Sequence, residues 1–331
     1  MKEIDFNAYG LRPSGSYLSD FYSSLEQAEK AADALMKETA KHTNNSESKA
    51  SDNNVPEKLD LDELLQELDG LVGLEKVKEN VRSLINLVKV RKMRTERNLP
   101  TPPMSLHLVF MGNPGTGKTT VARLVAKLYH SIGVLSKGQL IEVDRSGLVA
   151  GYVGQTAIKT KEAIDKALGG VLFIDEAYSL TASTGQTDFG REAVDTLLKA
   201  MEDHRDDFVV IVAGYDDLME EFINSNPGLE SRFNRYLTFD DYNGSQLLEI
   251  FRSMCTKNQY KLDEDADKYA DEHFSKLYEE RDDNFGNARD VRNFFENVIT
   301  VHSNRIAPME APSDDELVTV KRCDLEKAAE M

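Results

Sequence analysis

The sequence predicts an α/β fold, a parallel sheet covered by helices on both faces, followed by a small all-helical domain. Three observations carry this. Five short apolar runs, at 106–111, 139–144, 171–174, 208–213 and 236–239, alternate with helical patterns, and continuous apolar runs belong to parallel strands buried on both faces. From Ser245 onward the pattern is helical alone. Between the first run and the helical pattern Val121, Leu124, Val125, Leu128 lies GNPGTGKT, Gly112 to Thr119, in the strand, loop, helix order of a phosphate-binding loop.

Ahead of this region, Leu18, Phe21, Tyr22, Leu25, Ala28, Ala32, Leu35 and Met36 recur at helical spacing, predicting one amphipathic helix over 16–41. Its apolar stripe is to be covered either by the main body or by a partner or neighbouring subunit. His42 to Lys58, containing TNNSESKASDNN, reads as a disordered tether. The pattern becomes globular at Leu59. Leu61, Leu64, Leu65 and Leu68 share one helix, and Val77, Val81, Leu84, Ile85 and Val88 another, with Leu71 to Leu74 between them. Lys89, Arg91, Lys92, Arg94 and Arg97 fall on several faces of that second helix, as a solvated surface does. Near the other end, Leu262, Ala266, Tyr269, Ala270, His273, Phe274 and Leu277 form one stripe, and Val291, Phe294, Phe295, Val298 and His302 a second. Pro308 and Pro312 break the chain before Leu317 to Val320 and a last helix capped by Asp324. The division is therefore 1–58, helix and tether; 59–243, a nucleotide-binding α/β domain; and 244–331, a helical lid domain.

The 331 residues are enough for two or more domains, and their formal charge of −18 works against sequence-independent attraction to nucleic acid or anionic membranes. The two cysteines, Cys255 and Cys323, make no CxxC, and the six histidines are scattered, so ordinary thiols in a reducing compartment and no metal site built from protein ligands are expected. The acidic start MKEIDFNAYG lacks a long apolar region, and no run approaches membrane-spanning length. A cytoplasmic protein is the expectation.

The chemistry follows from the loop. Gly112, Gly115 and Gly117 let successive N–H groups turn inward around phosphate oxygens, with Asn113, Pro114, Thr116 and Thr120 completing the cradle. Lys118 can reach the β and γ phosphates of ATP, and Thr119 offers its hydroxyl to Mg²⁺ at the positive end of the following helix. The strand Val171 to Ile174 leads into Asp175 and Glu176. Asp175 would stand beside the Mg²⁺ shell, while Glu176 would polarise a water for in-line attack on the γ-phosphate.

Together, GNPGTGKTT, VLFIDEAY, VVIVAGYDD, NPGLESRF and GNARDVRN resemble the AAA+ ATPases, a P-loop NTPase fold, and within them the family containing the CbbX (CfxQ) red-type Rubisco activases and stage V sporulation protein K. The similarity runs from about Leu59 to the C-terminus. It implies a homo-oligomeric ring, usually a hexamer, with ATP between subunits and a protein client. It also implies further roles. Arg232 would be the arginine finger reaching a neighbour's γ-phosphate, with Arg235 as runner-up. Arg289 would be the sensor 2 arginine, with Arg292 as competitor. Asp216 stands near the place of sensor 1, often Asn in the family, where a carboxylate would repel phosphate unless water or metal intervenes. Val72 and Gly73 fall where the family packs adenine, an apolar helix start being an equal account. Tyr152 and Val153, in AGYVG, would form a pore loop gripping extended polypeptide, and 181–190, TASTGQTDFG, a second mobile loop. The resulting expectation is a ring motor that remodels a protein client. The rivals are a nucleic-acid motor or clamp loader, disfavoured by the acidity, and a nucleotide-gated scaffold that binds a partner through 16–41.

Overall fold

A computed structural model describes residues 60–102, 104–152, 154–181, 189–282 and 285–331. The expected helix over 16–41 and its tether, Val153, and residues 182–188 of the second expected pore loop lie outside the described residues. Everything below concerns the unit from Lys58 to Met331.

Two helices, α1 (Leu61–Asp69) and α2 (Glu75–Glu96), precede β1 (Leu108–Gly112). The α/β alternation continues through α3 (Lys118–Ser131), β2 (Leu140–Val143), α4 (Arg145–Leu148), α5 (Gln155–Ala167), β3 (Val171–Ile174), α6 (Phe189–Asp203), β4 (Val209–Gly214), α7 (Asp216–Asn224), α8 (Pro227–Arg232) and β5 (Tyr236–Phe239). The five strands are all parallel in the order β2-β3-β4-β1-β5. Successive side chains point to opposite faces, so each central strand feeds two cores. Leu108, Phe110, Val209 and Ile211 pack with Val81, Ile85, Val125 and Tyr129 on one face. Val109, Leu172, Val210 and Val212 pack with Ile164, Leu197 and Phe222 on the other. This is why the runs in β1, β3 and β4 are apolar at nearly every position.

Two of the five expected buried strands are edges instead. In β2 Glu142 is exposed and its neighbours only half-buried, and in β5 Tyr236 and Thr238 face outward. Each lies at an end of the sheet, where one neighbour is missing and cover is thinner.

The lid begins at α9 (Gly244–Lys257), started by a capping box in which Asn243 accepts from the Gln246 N–H and the Gln246 side chain accepts from the Asn243 N–H. It continues through β6 (Lys261–Leu262), α10 (Glu264–Glu279), α11 (Ala288–Ile306), α12 (Asp314–Val318), β7 (Thr319–Val320) and α13 (Arg322–Ala328). Phe251 anchors its core, with ring centroids 5.4, 5.6 and 6.2 Å from Phe274, Phe294 and Phe295. The two-residue bridge between β6 and β7 ties the lid's ends together.

Asp324 caps the last helix, as expected, but from its third position, as a member of a capping box with Lys321. Lys321 precedes α13, and Asp324 lies inside it, accepting from the Lys321 N–H at 3.0 Å. The carboxylate is buried in a pair of 2.8 Å bonds from Arg305 on α11. Burial alone would raise its pKa, but the Arg305 guanidinium and the Lys321 N–H hold it below the usual value.

Candidate active site

β1 ends at Gly112 and α3 starts at Lys118, so the phosphate loop is the whole connection between them. Thr116 is fully buried and donates through Oγ1 to the Asn113 carbonyl at 2.8 Å, closing the loop on itself. Gly115 holds φ +73°, and a Cβ there would lie 2.0 Å from the Gly286 carbonyl oxygen. Only glycine lets the lid backbone come this close. Lys118 Nζ donates to the carbonyls of Gly112 and Asn113, both at 2.7 Å. Burial lowers its pKa, opposed by the negative charges of Asp175 and Asp216.

A cavity of about 500 Å³ opens above this loop, at the C-terminal ends of the strands. Gly112, Pro114, Gly115, Gly117, Lys118, Thr119 and Thr120 form its floor. The end of β3 contributes Asp175 and Glu176, and the end of β4 contributes Gly214 and Tyr215. From the lid, Ala288, Arg289 and Arg292 close it. Glu176 holds φ 48° and ψ 43°, a left-handed conformation that a non-glycine residue adopts at a cost and that clusters at functional sites. Arg123 and Glu142 also line it, joined in a 2.8 Å ion pair.

The donor set fits a hard divalent cation brought in with phosphate. Thr119 and Asp175 supply oxygens to the same cavity as four cationic side chains, Lys118, Arg123, Arg289 and Arg292. Among the described residues no group of three His, Cys, Asp or Glu could hold a metal ion. A cation here would draw much of its shell from phosphate and water, as Mg²⁺ commonly does.

The other sequence candidates are distributed as follows. Arg289 and Arg292 both line the cavity. Asp216 is the first residue of α7, and the cavity wall there is Tyr215; burial, then the neighbouring Asp217, raises the Asp216 pKa. Val72 and Gly73 do not line the cavity. Gly73 abuts the Gln246 side chain at the start of the lid, where a Cβ would lie 2.6 Å from Nε2. Tyr152 is 73% exposed, on a loop anchored where the Ala150 N–H donates to Thr156 Oγ1 at 3.1 Å and Thr160 Oγ1 donates to the Leu148 carbonyl at 3.0 Å.

Arg232 lies elsewhere. It ends α8 and lines a second cavity, about 840 Å³, bordered by residues at the N-terminal ends of β1, β4 and β5. Its Nη2 donates to Glu202 Oε2 at 3.2 Å, and its Nε is buried without a partner. Beside it is the buried His107, whose Nδ1 accepts from the Val210 N–H at 3.0 Å. Burial, then the Arg232 charge, lowers the His107 pKa to about 4. Arg91 and Lys92, near the C-terminal end of α2, line the same cavity. Arg235 donates instead to the Ser105 carbonyl at 3.4 Å.

Sequence reasoning missed Arg123, Glu142 and Tyr215 on the cavity wall, and Asp241 and Asn287 behind it. Tyr215 and Asp241 adjoin apolar strand runs, the place where parallel sheets present functional groups, so strand ends were the available signal. Asn287 sits inside GNARDVRN and was overshadowed by the arginine two residues on.

Comparison with known proteins gives the family and the fold. The family "ATPase family associated with various cellular activities (AAA)" matches residues 108–241, and the AAA lid domain matches 243–331. The chain is 44% identical over 266 residues to stage V sporulation protein K of Bacillus subtilis (strain 168), covering 80% of this chain and 82% of that one. It is 41% identical over 271 residues to the chloroplastic ribulose bisphosphate carboxylase/oxygenase activase of Cyanidioschyzon merolae (strain NIES-3377 / 10D), covering 81% and 92%. In fold it is similar to the AAA domain of FIGL-1 in complex with ADP, with a TM-score of 0.55 at 19% identity, covering 79% of this chain and 82% of that one. No helix among the described residues is long and apolar enough to cross a membrane. The chain belongs to the AAA ATPases, in the group that holds stage V sporulation protein K and the CbbX and CfxQ proteins.

Proposed function

We propose that this chain is a Mg²⁺-dependent ATPase that assembles into a homo-oligomeric ring, a hexamer, and remodels a protein client by drawing a segment into the central pore. Residues 59–243 would form the motor body, 244–331 the lid, and 1–58 an appended helix and tether. The chemistry is ATP hydrolysis to ADP and phosphate. Lys118 and the loop N–H groups bind the phosphates, and Glu176 positions and polarises the attacking water. Thr119 and Asp175 would hold Mg²⁺, which supplies charge neutralisation on the phosphates when bound. Arg289 brings lid charge to the same phosphates.

The observation that carries this reading is the separation of Arg232 from the loop. One cavity lies at the C-terminal ends of the strands, and the guanidinium lines the other, at their N-terminal ends. An arginine so placed serves as a finger only for the next copy, which is the logic of a ring. The exposed Tyr152, on a loop tied down at both ends, supports gripping of a polypeptide by area rather than by sequence.

A photo-crosslinking residue at position 152 in a Glu176→Gln background tests the pulling. With ATP trapped, it should form adducts with an unfolded polypeptide, and with ADP it should form few. Equal labelling in both states would exclude gripping linked to the nucleotide.

A further inference from the structure

Asn287 is fully buried, just ahead of α11, with φ 54° and ψ −127°. Residues with a Cβ rarely adopt this conformation, and glycine adopts it freely. The side chain offers a reason for its presence. Nδ2 donates to Asp241 Oδ1 at 2.7 Å and to the Pro114 carbonyl at 3.3 Å, while Oδ1 accepts from the Tyr242 N–H at 2.9 Å. Asp241 in turn accepts from Asn113 Nδ2 at 3.0 and 3.1 Å. Two further bonds flank these: Tyr242 Oη donates to the Thr116 carbonyl at 3.1 Å, and the Ala288 N–H to the Gly115 carbonyl at 3.2 Å. One carboxylate therefore holds amides from the phosphate loop and from the lid, and neither Asp241 nor Asn287 borders the cavity.

We propose that Asn287 and Asp241 are positioning residues that clamp the phosphate loop to the lid, so that occupancy of the loop and the position of α11 change together. The clamp acts behind the cavity, separately from Arg289 in front of it. A buried amide bridging two loops transmits displacement because each loop movement leaves polar groups without partners. This inference rests on the reading of the cavity as a nucleotide site.

The test combines ADP affinity, measured with a fluorescent analogue, with hydrogen exchange of residues 288–292 in the presence and absence of ADP. Asn287→Gly removes the carboxamide and relieves the backbone, so melting temperature should hold or rise. Affinity should still fall ~10-fold, the loss of one or two hydrogen bonds, and the ADP-dependent protection of 288–292 should vanish. Asn287→Asp sets a second carboxylate against Asp241 and should cost ~100-fold. Adding Asp241→Asn sets an amide donor against the new carboxylate and should recover ~10-fold of that loss, the Pro114 carbonyl still lacking its donor. Wild-type affinity and protection in Asn287→Gly, or no recovery in a folded double variant, would overturn the clamp. A wild-type protein that binds no ADP would sink the nucleotide reading and the clamp with it.

Discussion

The two ends of the sheet present different kinds of site. At the C-terminal end, loop glycines, Lys118, Thr119, Asp175, Glu176 and two lid arginines converge on one cavity. At the N-terminal end a larger cavity holds Arg232, tied to Glu202 and with its Nε buried and unpartnered, away from the glycine-rich loop. On the proposed reading, the first end holds the groups that would bind a triphosphate and activate water. On the same reading, the second offers the Arg232 guanidinium to the transition state of a neighbouring copy. Stacking one copy's second end on another's first end would join them, and binding would then belong to a single chain and turnover to a pair.

That contrast fails or sharpens under substitution. Arg232→Ala should lower the ATP turnover number by ~10³ or more while leaving ATP affinity within roughly threefold, as loss of an arginine finger does. An equal loss of affinity in isolated chains would place Arg232 in its own nucleotide site and erase the distinction. Lys118→Ala acts at the other end and should do the reverse. Two bonds to charged phosphate oxygens are lost, weakening ATP binding by ~10³-fold in equilibrium titration. Undiminished affinity would contradict the loop assignment.

A smaller effect separates the ends by pH. His107 belongs to the second end, and its folded-state pKa of about 4 lies below the ordinary 6.5. The unfolded chain therefore binds a proton that the folded chain refuses between these values. The resulting stability is fully present above pH 6.5 and is lost as pH falls toward 4, by about 3 kcal/mol. Urea unfolding across this window should show that slope in wild type and a shallower one in His107→Gln, whose carbonyl can still accept from Val210. An unchanged slope would remove His107 as its source.

The first end was largely legible in the sequence, because GNPGTGKT and VLFIDE are local patterns in which one strand delivers one set of groups. The second end was not. Arg232 could be singled out by resemblance, but its partner Glu202 is 30 residues away, on α6. The same limit hid the clamp, since Asn113 and Asp241 are 128 positions apart and Asp241 and Asn287 46. Apolar periodicity located β2 and β5 well but could not tell an edge strand from a central one, because that depends on strand order rather than on composition. Asp324 was only half legible for a related reason. An acidic residue near a helix start satisfies the capping pattern, whereas its burial against Arg305 is set by the packing of α13 on α11.

The central claim, that turnover needs two copies, is tested most directly by ATPase activity per chain as a function of protein concentration, with assembly state measured in the same samples. Activity should be near zero where single copies predominate and should rise with assembly. Adding Arg232→Ala chains at constant total concentration should depress it by more than their proportion. Full activity per chain in single copies would contradict the account.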